Sequence, residues 1–479
     1  MQAATIYLII EVAFYAAAFA CAIHSIMANR TAQGTLAWLL ALFALPYAAV
    51  PLYLVFGRRR YAAYAAAMRR SQERVAAAEP VSDYLDYDED KARHLARRLE
   101  VAEDIAGLGY TRGNRIELIE DGSATFEAIF ASIDAAQSYV LVQFYIFRDD
   151  RLGRKLRDHM VAAAARGVRC YLLYDEIGCI ATPRRYWEGF REGGVEVRAF
   201  GSTRRLRGRF EPNFRNHRKV VVCDGSCAFV GGNNVGVEYV GESEKFGPWR
   251  DAHLRLAGPI VQAIQLGFSQ DWEFASGKVL DLAWRPERAE ATEAGDGDMV
   301  AAYVPTGPAD ELETGTLLFS AAINTAERRL WIVSPYFVPD LPVMAALKLA
   351  VLRGVAVTIL VPDRPDHRTV WLAGHDFIAE AERSGIAVKR YTAGFLHQKA
   401  VLIDDDVAMV GTANMDNRSF RLNFEAMVVV ADEGFARRVE AVIAKDLDGA
   451  RDHTPADYEE RSFAFRLAVR GARLLAPVL

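Results

Sequence analysis

Two apolar segments begin the chain, and the pattern then changes. Residues 5–27 and 35–56 are almost entirely hydrophobic. A helix rises ~1.5 Å per residue, so about 20 apolar residues cross the hydrocarbon core of a bilayer. Pro46 and Pro51 lie inside the second segment and predict a kinked helix, which membrane helices tolerate. We therefore predict two transmembrane helices that form a hairpin over residues 1–57.

Basic residues predict which way this hairpin is oriented. The loop between the segments contains Arg30, whereas residues 58–60 are three consecutive arginines. Cytoplasmic flanks of membrane helices are enriched in Lys and Arg, so we expect everything after residue 57 to lie in the cytoplasm. No basic region precedes the first segment, which argues against a cleaved signal peptide. Glu11 lies near the start of that segment, where an interfacial or helix-pairing role is more common than a functional one.

From about residue 107, short apolar runs alternate with helical patterns. Residues 139–147 and 330–338 read as buried strands. Each is followed by a helical pattern that ends at an Arg-Gly pair, whose glycine is Gly167 in the first case and Gly354 in the second. This alternation predicts an α/β fold in which helices cover both faces of the sheets.

The second half of this region repeats the first in order. Tyr145 aligns with Tyr336, and His217 aligns with His397. A repeat of this length predicts two fused domains rather than a solenoid. The predicted organisation is listed in chain order: membrane hairpin 1–57, cytoplasmic helical linker 58–106, first domain 107–290, second domain 291–455, and a C-terminal basic amphipathic helix 456–479.

The C-terminal segment has two interpretations. Residues 461–479 mix arginines with bulky apolar residues and contain no acidic residue. Such a helix binds anionic membrane surfaces in many proteins. Packing against the body of the protein is the alternative, and the sequence does not separate the two.

Composition narrows the choice of partners. Hydrophobic residues make up 52% of the chain, with a mean hydropathy of +0.02, which fits a membrane portion. The net charge is −5, so there is no overall basic field for nucleic acid. The five cysteines are scattered, and we expect them to be reduced, buried thiols rather than disulfides or metal ligands. No cofactor and no metal site is expected, and the oligomeric state is left open.

One motif occurs twice, with the same spacing, and it carries the chemistry. Both copies read His-x-Lys-x4-Asp, followed at equal distance by a small-residue turn that ends in Asn, and then by a carboxylate. The first set is His217, Lys219, Asp224, Asn234 and Asp251. The second set is His397, Lys399, Asp404, Asn414 and Glu425. An isolated histidine is more often structural, but the duplicated spacing reverses that expectation.

These residue types suit a phosphodiester. A lysine supplies fixed positive charge, an asparagine amide donates a hydrogen bond, and a carboxylate can fix the tautomer of an imidazole. Two such sets facing each other provide a nucleophilic histidine on one side of phosphorus and an acid on the other. We expect Asp251 to complete the first set from its own half, and the second set to join across the interface. Asp224 and Asp404 are included as catalytic candidates, although their spacing from the histidines favours a structural role.

The two motifs resemble those of the phospholipase D superfamily, and the chain is similar to its bacterial cardiolipin synthase branch. Supporting strings extend over nearly the whole chain, at residues 36–40, 51–60, 145–150, 213–219, 248–251, 271–274, 335–340 and 394–397. The resemblance implies two duplicated α/β/α domains that share one active site at their interface. It also implies a multi-pass protein of the bacterial inner membrane.

The resemblance further implies a reaction and a role for each residue. Phosphatidylglycerol would donate its phosphatidyl group to His217, and a second phosphatidylglycerol would accept it with His397 as acid and base, giving cardiolipin and glycerol. The remaining positions match phosphate-binding or histidine-orienting residues, namely Lys219, Lys399, Asn234, Asn414, Asp251 and Glu425.

Three alternatives remain at this point. The same motifs serve hydrolytic phospholipases and transferases that use another alcohol. They also serve nucleases, which the apolar segments and acidic net charge disfavour. A catalytically silent membrane scaffold is the third, and two intact motifs argue against it.

Overall fold

The computed structural model describes residues 2–28, 32–54, 61–78, 81, 99–201, 214–285, 287, 289 and 298–479. The arginines at 58–60 therefore lie outside the described residues. The chain divides into two compact units, Met1–Ala67 and Met68–Leu479.

The first unit consists of helices. Its helices are α1 (Gln2–Ala28), α2 (Ala32–Ala44) and α3 (Pro46–Leu52), followed by the start of α4 (Tyr61–Ala76). The α1 helix packs against α2 and α3, where Ala18, Leu42 and Tyr53 are fully buried. Among the described residues one helical stretch, Thr5–Met27, is long and apolar enough to cross a membrane.

The second apolar segment is helical but interrupted. The α2 helix ends before Leu45, whose backbone leaves the helical region with φ −139° and ψ 57°. Pro46 then occupies the first turn of α3, where its missing N–H is tolerated. The prediction of a second continuous span is therefore only partly confirmed, because the break leaves two shorter helices.

The second unit contains an α/β sheet. Its strands are β1 (Thr111–Ile119), β2 (Tyr139–Phe144), β3 (Arg169–Asp175), β4 (Glu196–Phe200), β5 (Arg215–Asn216), β6 (Val220–Cys223), β7 (Cys227–Gly231), β8 (Trp249–Arg250), β9 (His253–Ala257), β10 (Met299–Thr306), β11 (Arg329–Val333), β12 (Phe337–Val338), β13 (Ala356–Pro362), β14 (Ala387–Tyr391), β15 (Phe395–Leu396), β16 (Ala400–Ile403), β17 (Val407–Gly411), β18 (Met415–Asp416), β19 (Asn423–Ala431) and β20 (Ala450–Asp452).

One sheet runs through both halves of this unit. In the described part of the chain its strand order is β20-β14-β13-β11-β16-β17-β19-β10-β1-β9-β7-β6-β2-β3-β4, with β5 beside β19. The strands β1 and β10 pair antiparallel at the centre and join the halves. The predicted duplication is visible on either side, because β2, β3 and β4 are parallel neighbours, as are β11, β13 and β14.

Helices cover the sheet and bury its apolar side chains. In chain order they are α5 (Val101–Ala106), α6 (Gly122–Ala135), α7 (Arg151–Ala165), α8 (Arg184–Glu192), α9 (Ile260–Ser276), α10 (Thr314–Thr325), α11 (Leu341–Leu352), α12 (Arg368–Arg383), α13 (Asn417–Arg421), α14 (Glu433–Asp448) and α15 (Phe463–Arg473). Each half has its own large cluster of buried residues. The predicted α/β architecture is confirmed.

Two outer segments are attached to this body by ion pairs. The predicted linker contributes α4, and Arg74 binds the buried carboxylate of Glu273 on α9 through two hydrogen bonds of 2.7 and 2.8 Å. At the other end, α15 packs against α12, where Arg473 binds Asp376 and Glu380. The packing interpretation of the C-terminal segment therefore holds for one face of its helix.

Candidate active site

Two short parallel strand pairs cross between the halves and position the histidines. The β5 strand pairs with the start of β19, and β15 pairs with β8. Each histidine follows its strand directly and continues the pairing through its backbone. The His217 N–H donates to the Phe424 carbonyl at 2.9 Å, and the His397 N–H donates to the Arg250 carbonyl at 2.7 Å. Each half thus holds the other half's histidine.

The carboxylates are exchanged as a consequence. The residue after each of these carbonyl acceptors is a carboxylate, so His217 Nδ1 bonds to Glu425 Oε2 at 2.9 Å and His397 Nδ1 bonds to Asp251 Oδ2 at 2.7 Å. Our expectation that Asp251 completes the first set from its own half is therefore wrong. Local spacing within one repeat cannot reveal this exchange, because it is produced by pairing between the repeats.

The charge state of each pair follows from burial. Burial lowers the pKa of His217 to about 4, against the opposing effect of Glu425. Burial alone would raise the pKa of Glu425, but His217 and then Lys219 hold it below its ordinary value. The carboxylate is thus ionised and can only accept, so the proton lies on Nδ1 of the imidazole. The Nε2 atom of His217 is left with a free lone pair, which a nucleophile requires.

The second pair has the same polarity. Burial, and then the charge of Lys399, lower the pKa of His397. His397 and then Lys399 hold the pKa of Asp251 below its usual range, against the effect of burial. Both imidazoles are therefore neutral near pH 7 and are oriented by ionised carboxylates.

Two lysines bring buried positive charge to the same place. Lys219 and Lys399 are almost fully buried. Burial lowers the pKa of Lys219 to about 7 and that of Lys399 to about 8. The charge of Lys399 lowers the pKa of Lys219 further, while Glu425 and Asp251 act on both lysines in the opposite direction. Each ammonium also donates to the carbonyl of the histidine two residues earlier.

The asparagines lie at the ends of the predicted turns and are buried. Asn234 accepts from the Ile146 N–H at 3.1 Å and donates to the Tyr239 hydroxyl at 3.1 Å. The Asn414 N–H donates to Ser419 Oγ at 3.1 Å. The backbone following Asn414 continues into β18, which pairs with β12.

Asp224 and Asp404 do not belong to this group. Each stands in a hairpin turn with a positive φ, 54° and 49° respectively, a conformation that aspartate tolerates better than most residues. The Asp224 carboxylate accepts the backbone N–H groups of residues 137–139 at 2.7–2.9 Å. Asp404 accepts those of residues 327–329 at 2.7–3.0 Å. Their inclusion as catalytic candidates is corrected, because each fixes the start of a neighbouring strand.

Sequence reasoning missed the groups that support the carboxylates. Thr412 Oγ1 donates to Glu425 Oε2 at 2.6 Å, and Asn423 Nδ2 donates to Oε1 at 3.0 Å. On the other side, Trp249 Nε1 lies 3.4 Å from Asp251 Oδ2. Trp249 and Asn423 occupy aligned positions in the two repeats, so the self-alignment contained a usable signal.

A buried ion pair between Arg218 and Asp271 lies beside the His217–Glu425 contact and holds the backbone of Glu425. Arg218 Nη1 binds both carboxylate oxygens of Asp271, at 2.9 and 3.0 Å. The same guanidinium donates through Nε to the Glu425 carbonyl at 3.0 Å. Asn216 Nδ2 and Gln143 Nε2 satisfy the remaining acceptor capacity of Asp271. Arg218 lies between His217 and Lys219 in the motif, at a position to which the motif itself assigns no role.

Comparison with known proteins shows the family to which the chain belongs. The family described as "Cardiolipin synthase, PLD-like domain" matches residues 129–246 and 319–447. The chain belongs to the cardiolipin synthase family of phospholipase D-like proteins. A second family, described as Phospholipase D-nuclease N-terminal, matches residues 16–58.

Relatives and solved structures extend the match. The chain is 46% identical to cardiolipin synthase A of Pseudomonas aeruginosa (strain LESB58) over 465 residues, which cover 96% of this chain and 94% of the relative. It is 42% identical to cardiolipin synthase A of Pseudomonas putida (strain GB-1), covering 96% and 95%. The fold is similar to that of phosphatidylserine synthase from Haemophilus influenzae Rd KW20, with a TM-score of 0.59, 13% identity, and coverage of 81% and 100%.

Proposed function

We propose that this protein is a cardiolipin synthase that transfers a phosphatidyl group from one phosphatidylglycerol to another. The observation that carries the proposal is the pair of exchanged histidine–carboxylate contacts, with two buried lysines beside them. This arrangement supplies a nucleophile and an acid in one site. It also supplies positive charge for a phosphodiester that carries one negative charge.

In the first step, His217 Nε2 attacks phosphorus. A phosphorus–nitrogen bond forms, and the bond from phosphorus to the departing glycerol oxygen breaks. His397 gives its Nε2 proton to that oxygen, so that neutral glycerol leaves. Glu425 stabilises the positive charge that develops on His217, and Asp251 stabilises the protonated form of His397 before it gives up its proton.

In the second step, the glycerol hydroxyl of another phosphatidylglycerol attacks the phosphohistidine. His397 Nε2 takes the hydroxyl proton, the new phosphorus–oxygen bond forms, and the phosphorus–nitrogen bond breaks. This step leaves His217 neutral and His397 protonated, as they were before the first step, and cardiolipin is released. Using one histidine first as acid and then as base follows from microscopic reversibility.

Lys219, Lys399, Asn234 and Asn414 would stabilise the non-bridging oxygens in both steps. Because these groups are already in place and buried, they stabilise developing charge without reorganisation. His397 is neutral in the empty site, since burial and Lys399 lower its pKa. An anionic phosphodiester opposes both effects, so substrate binding favours the protonated form that the first step needs.

The proposed location is the inner membrane of a bacterial cell, with the catalytic unit in the cytoplasm. The apolar stretch Thr5–Met27 supports membrane attachment. A multi-pass arrangement would need α2 and α3 to cross together as one broken helix, which membrane interiors tolerate where neighbouring helices cover the break.

The product spectrum tests this function. The full-length protein, reconstituted in vesicles of labelled phosphatidylglycerol, should release glycerol and form cardiolipin in equal amounts. Phosphatidic acid as the sole product would identify a hydrolase instead. Adding ethanolamine or another alcohol distinguishes a transferase with a different acceptor, because the label would then appear in the corresponding phospholipid.

A further inference from the structure

The C-terminal helix α15 has two faces of opposite character. Its inner face packs on α12, where Val469 and Ala472 are buried. Arg473 binds Asp376 and Glu380 on that side, and Arg470 Nε lies 3.3 Å from Asp376. Two of the segment's arginines are therefore used to hold the helix onto the protein rather than to contact a membrane.

The outer face carries large apolar side chains. Phe463 is 73% exposed, Leu467 is 59% exposed, and Leu474, directly after the helix, is 82% exposed. At 3.6 residues per turn these positions point in directions within about 40° of each other. We call these three residues the outer stripe. A helix that only covers a soluble domain turns its bulky apolar side chains inward and its charged side chains outward. In α15 bulky apolar side chains are exposed, whereas Arg473 is turned towards the protein.

The segment that carries the outer stripe is basic. Arg466 lies next to the outer stripe on the helix and is exposed. Residues 461–479 contain no acidic side chain.

The neighbouring helix α11 adds a second apolar stripe, in which Leu341, Leu349 and Leu352 are exposed. Both helices meet α12 at Glu380, which binds Lys348 of α11 at 2.8 Å and Arg473 of α15 at 2.7 Å.

The helix that carries the outer stripe is connected to the active site through α12. Phe465, on the inner side of α15, packs against Trp371 and His375, with ring centroids 6.0 and 5.5 Å apart. Both partners belong to α12, which begins just after the loop that carries Asp366. Asp366 accepts a hydrogen bond from Tyr336, and its charge acts on His397.

We propose that α15 is an interfacial helix whose outer stripe enters the surface of an anionic bilayer while its inner face stays docked on α12. Apolar side chains flanked by arginines match acyl chains below a layer of negative headgroups. A protein partner or a second copy would need acidic groups to match Arg466. The membrane contact would bring the α12 side of the site towards lipid, and it does not depend on the proposed transfer reaction.

Fluorescence measures the insertion directly. Leu467→Cys in the full-length chain carries a nitrobenzoxadiazole label, and the protein is reconstituted in phosphatidylglycerol-containing vesicles. We expect blue-shifted emission that spin-labelled acyl chains quench. Asp158→Cys, at an exposed position on α7, is the matched control and should show neither effect. The unsubstituted chain, treated identically, gives the background of the native cysteines.

Three outcomes are distinguished. Blue-shifted and quenched emission supports the proposal. Emission typical of water overturns it, because the outer stripe would then face solvent. Blue-shifted emission that lipid-borne quenchers do not reach also overturns it, because the outer stripe would then be covered by protein, and dilution would show whether a second copy covers it.

Activity gives an independent measurement. The double variant Phe463→Gln and Leu467→Gln should lose activity several-fold in vesicles and keep it in mixed micelles, where substrate reaches the site without a bilayer. Arg466→Glu should weaken the effect of anionic lipid by roughly five-fold or more, given the contribution of one basic residue at such a surface. Ile180→Gln and Arg437→Glu change exposed residues of the same types elsewhere and should change neither. Unaltered vesicle activity in the double variant, with the thermal unfolding midpoint preserved, contradicts the proposal.

Discussion

The two halves of the active site are built on one backbone plan with different side chains. Aligned strands hold His217 and His397, and aligned positions supply Glu425 and Asp251. The support for the two carboxylates differs. Thr412 and Asn423 donate to Glu425, whereas Asp251 receives the Ala252 N–H at 2.9 Å and the indole N–H of Trp249. The repeat has preserved the imidazole–carboxylate contact while its neighbours diverged.

The length of each carboxylate explains part of this divergence. Gly232 aligns with Thr412, and a Cβ atom at Gly232 would lie 1.9 Å from Asp251 Oδ1. The shorter aspartate therefore requires an empty position. The longer glutamate reaches a place where the threonine hydroxyl can hydrogen-bond to it. The aspartate occurs with a glycine and the glutamate with a threonine. We therefore expect that replacing one member of either pair without the other disturbs the carboxylate.

The aromatic surroundings differ as well. His397 has Trp249, Phe395 and Tyr239 around it, with ring centroids 5.0, 6.1 and 6.2 Å away. The aromatic neighbour of His217 among the described residues is Tyr145, at 5.0 Å. In the proposed reaction, the acyl-lipid acceptor competes with water at His397. Within the ranges that the structure describes, more aromatic rings surround His397 than His217, which favours the exclusion of water beside His397.

The largest effect should come from the histidines. His217→Ala and His397→Ala should each reduce product formation by at least about 10⁴-fold, since both steps need both imidazoles. Acid-quenched protein should retain a labelled phosphatidyl group only when His217 is present. Trapping in His217→Ala would reverse the two roles.

Carboxylate substitutions test the exchange between the halves. Glu425→Gln should slow formation of the phosphohistidine by roughly 10²- to 10⁴-fold, because an amide does not stabilise the imidazolium or fix its tautomer. Asp251→Asn should instead act through His397, on proton transfer to the leaving group and from the acceptor. Rapid-quench measurement of the covalent intermediate separates the two.

The control for this pair is the response to a leaving group that needs no protonation. A phosphatidyl ester of nitrophenol should restore the first step in Asp251→Asn but not in Glu425→Gln. Rescue of Glu425→Gln but not of Asp251→Asn would mean that each carboxylate serves the histidine of its own half.

Gly232→Ala should lower activity by about 10- to 10²-fold, because the added methyl displaces the Asp251 carboxylate and with it the imidazole of His397. Thr412→Ser keeps the hydroxyl on the aligned position and should remain near the wild-type rate. Steady-state kinetics on folded protein, checked by circular dichroism, measures the difference. A fully active Gly232→Ala would contradict the packing argument.

The smallest effect should be an alkaline loss of activity. Burial lowers the pKa of Lys399 to about 8, so this lysine is charged below that pH and neutral above it. The pKa of Lys219 is lowered to about 7, so this lysine loses charge over the same range, and kcat/KM should fall by at least about tenfold between pH 7 and pH 9. The kcat value should fall less, because a bound phosphodiester raises the pKa of the lysine.

Lys399→Arg offers a direct check of that cause, since a guanidinium keeps its charge throughout this range. Whatever its activity at pH 7, its kcat/KM should decline less steeply towards pH 9. The same slope in both proteins would assign the alkaline loss to another group.

The sequence by itself determined the duplication, the α/β class and most of the site residues. The spacing from His217 to Asn234 equals that from His397 to Asn414, and spacing along the chain can be read directly from the amino-acid sequence. The same is true of the apolar segment at 5–27. Asp224 and Asp404 were also distinguishable, because a position seven residues past the histidine on a strand faces the other way.

Only the tertiary structure decided which groups meet. The pairing of β5 with β19 joins residues 208 positions apart, and that of β15 with β8 joins residues 146 positions apart. Together they give each histidine the other half's carboxylate. The two faces of α15 likewise depend on the acidic residues of α12. Each of these is a contact between distant segments, and local propensity does not encode which distant partner a segment finds.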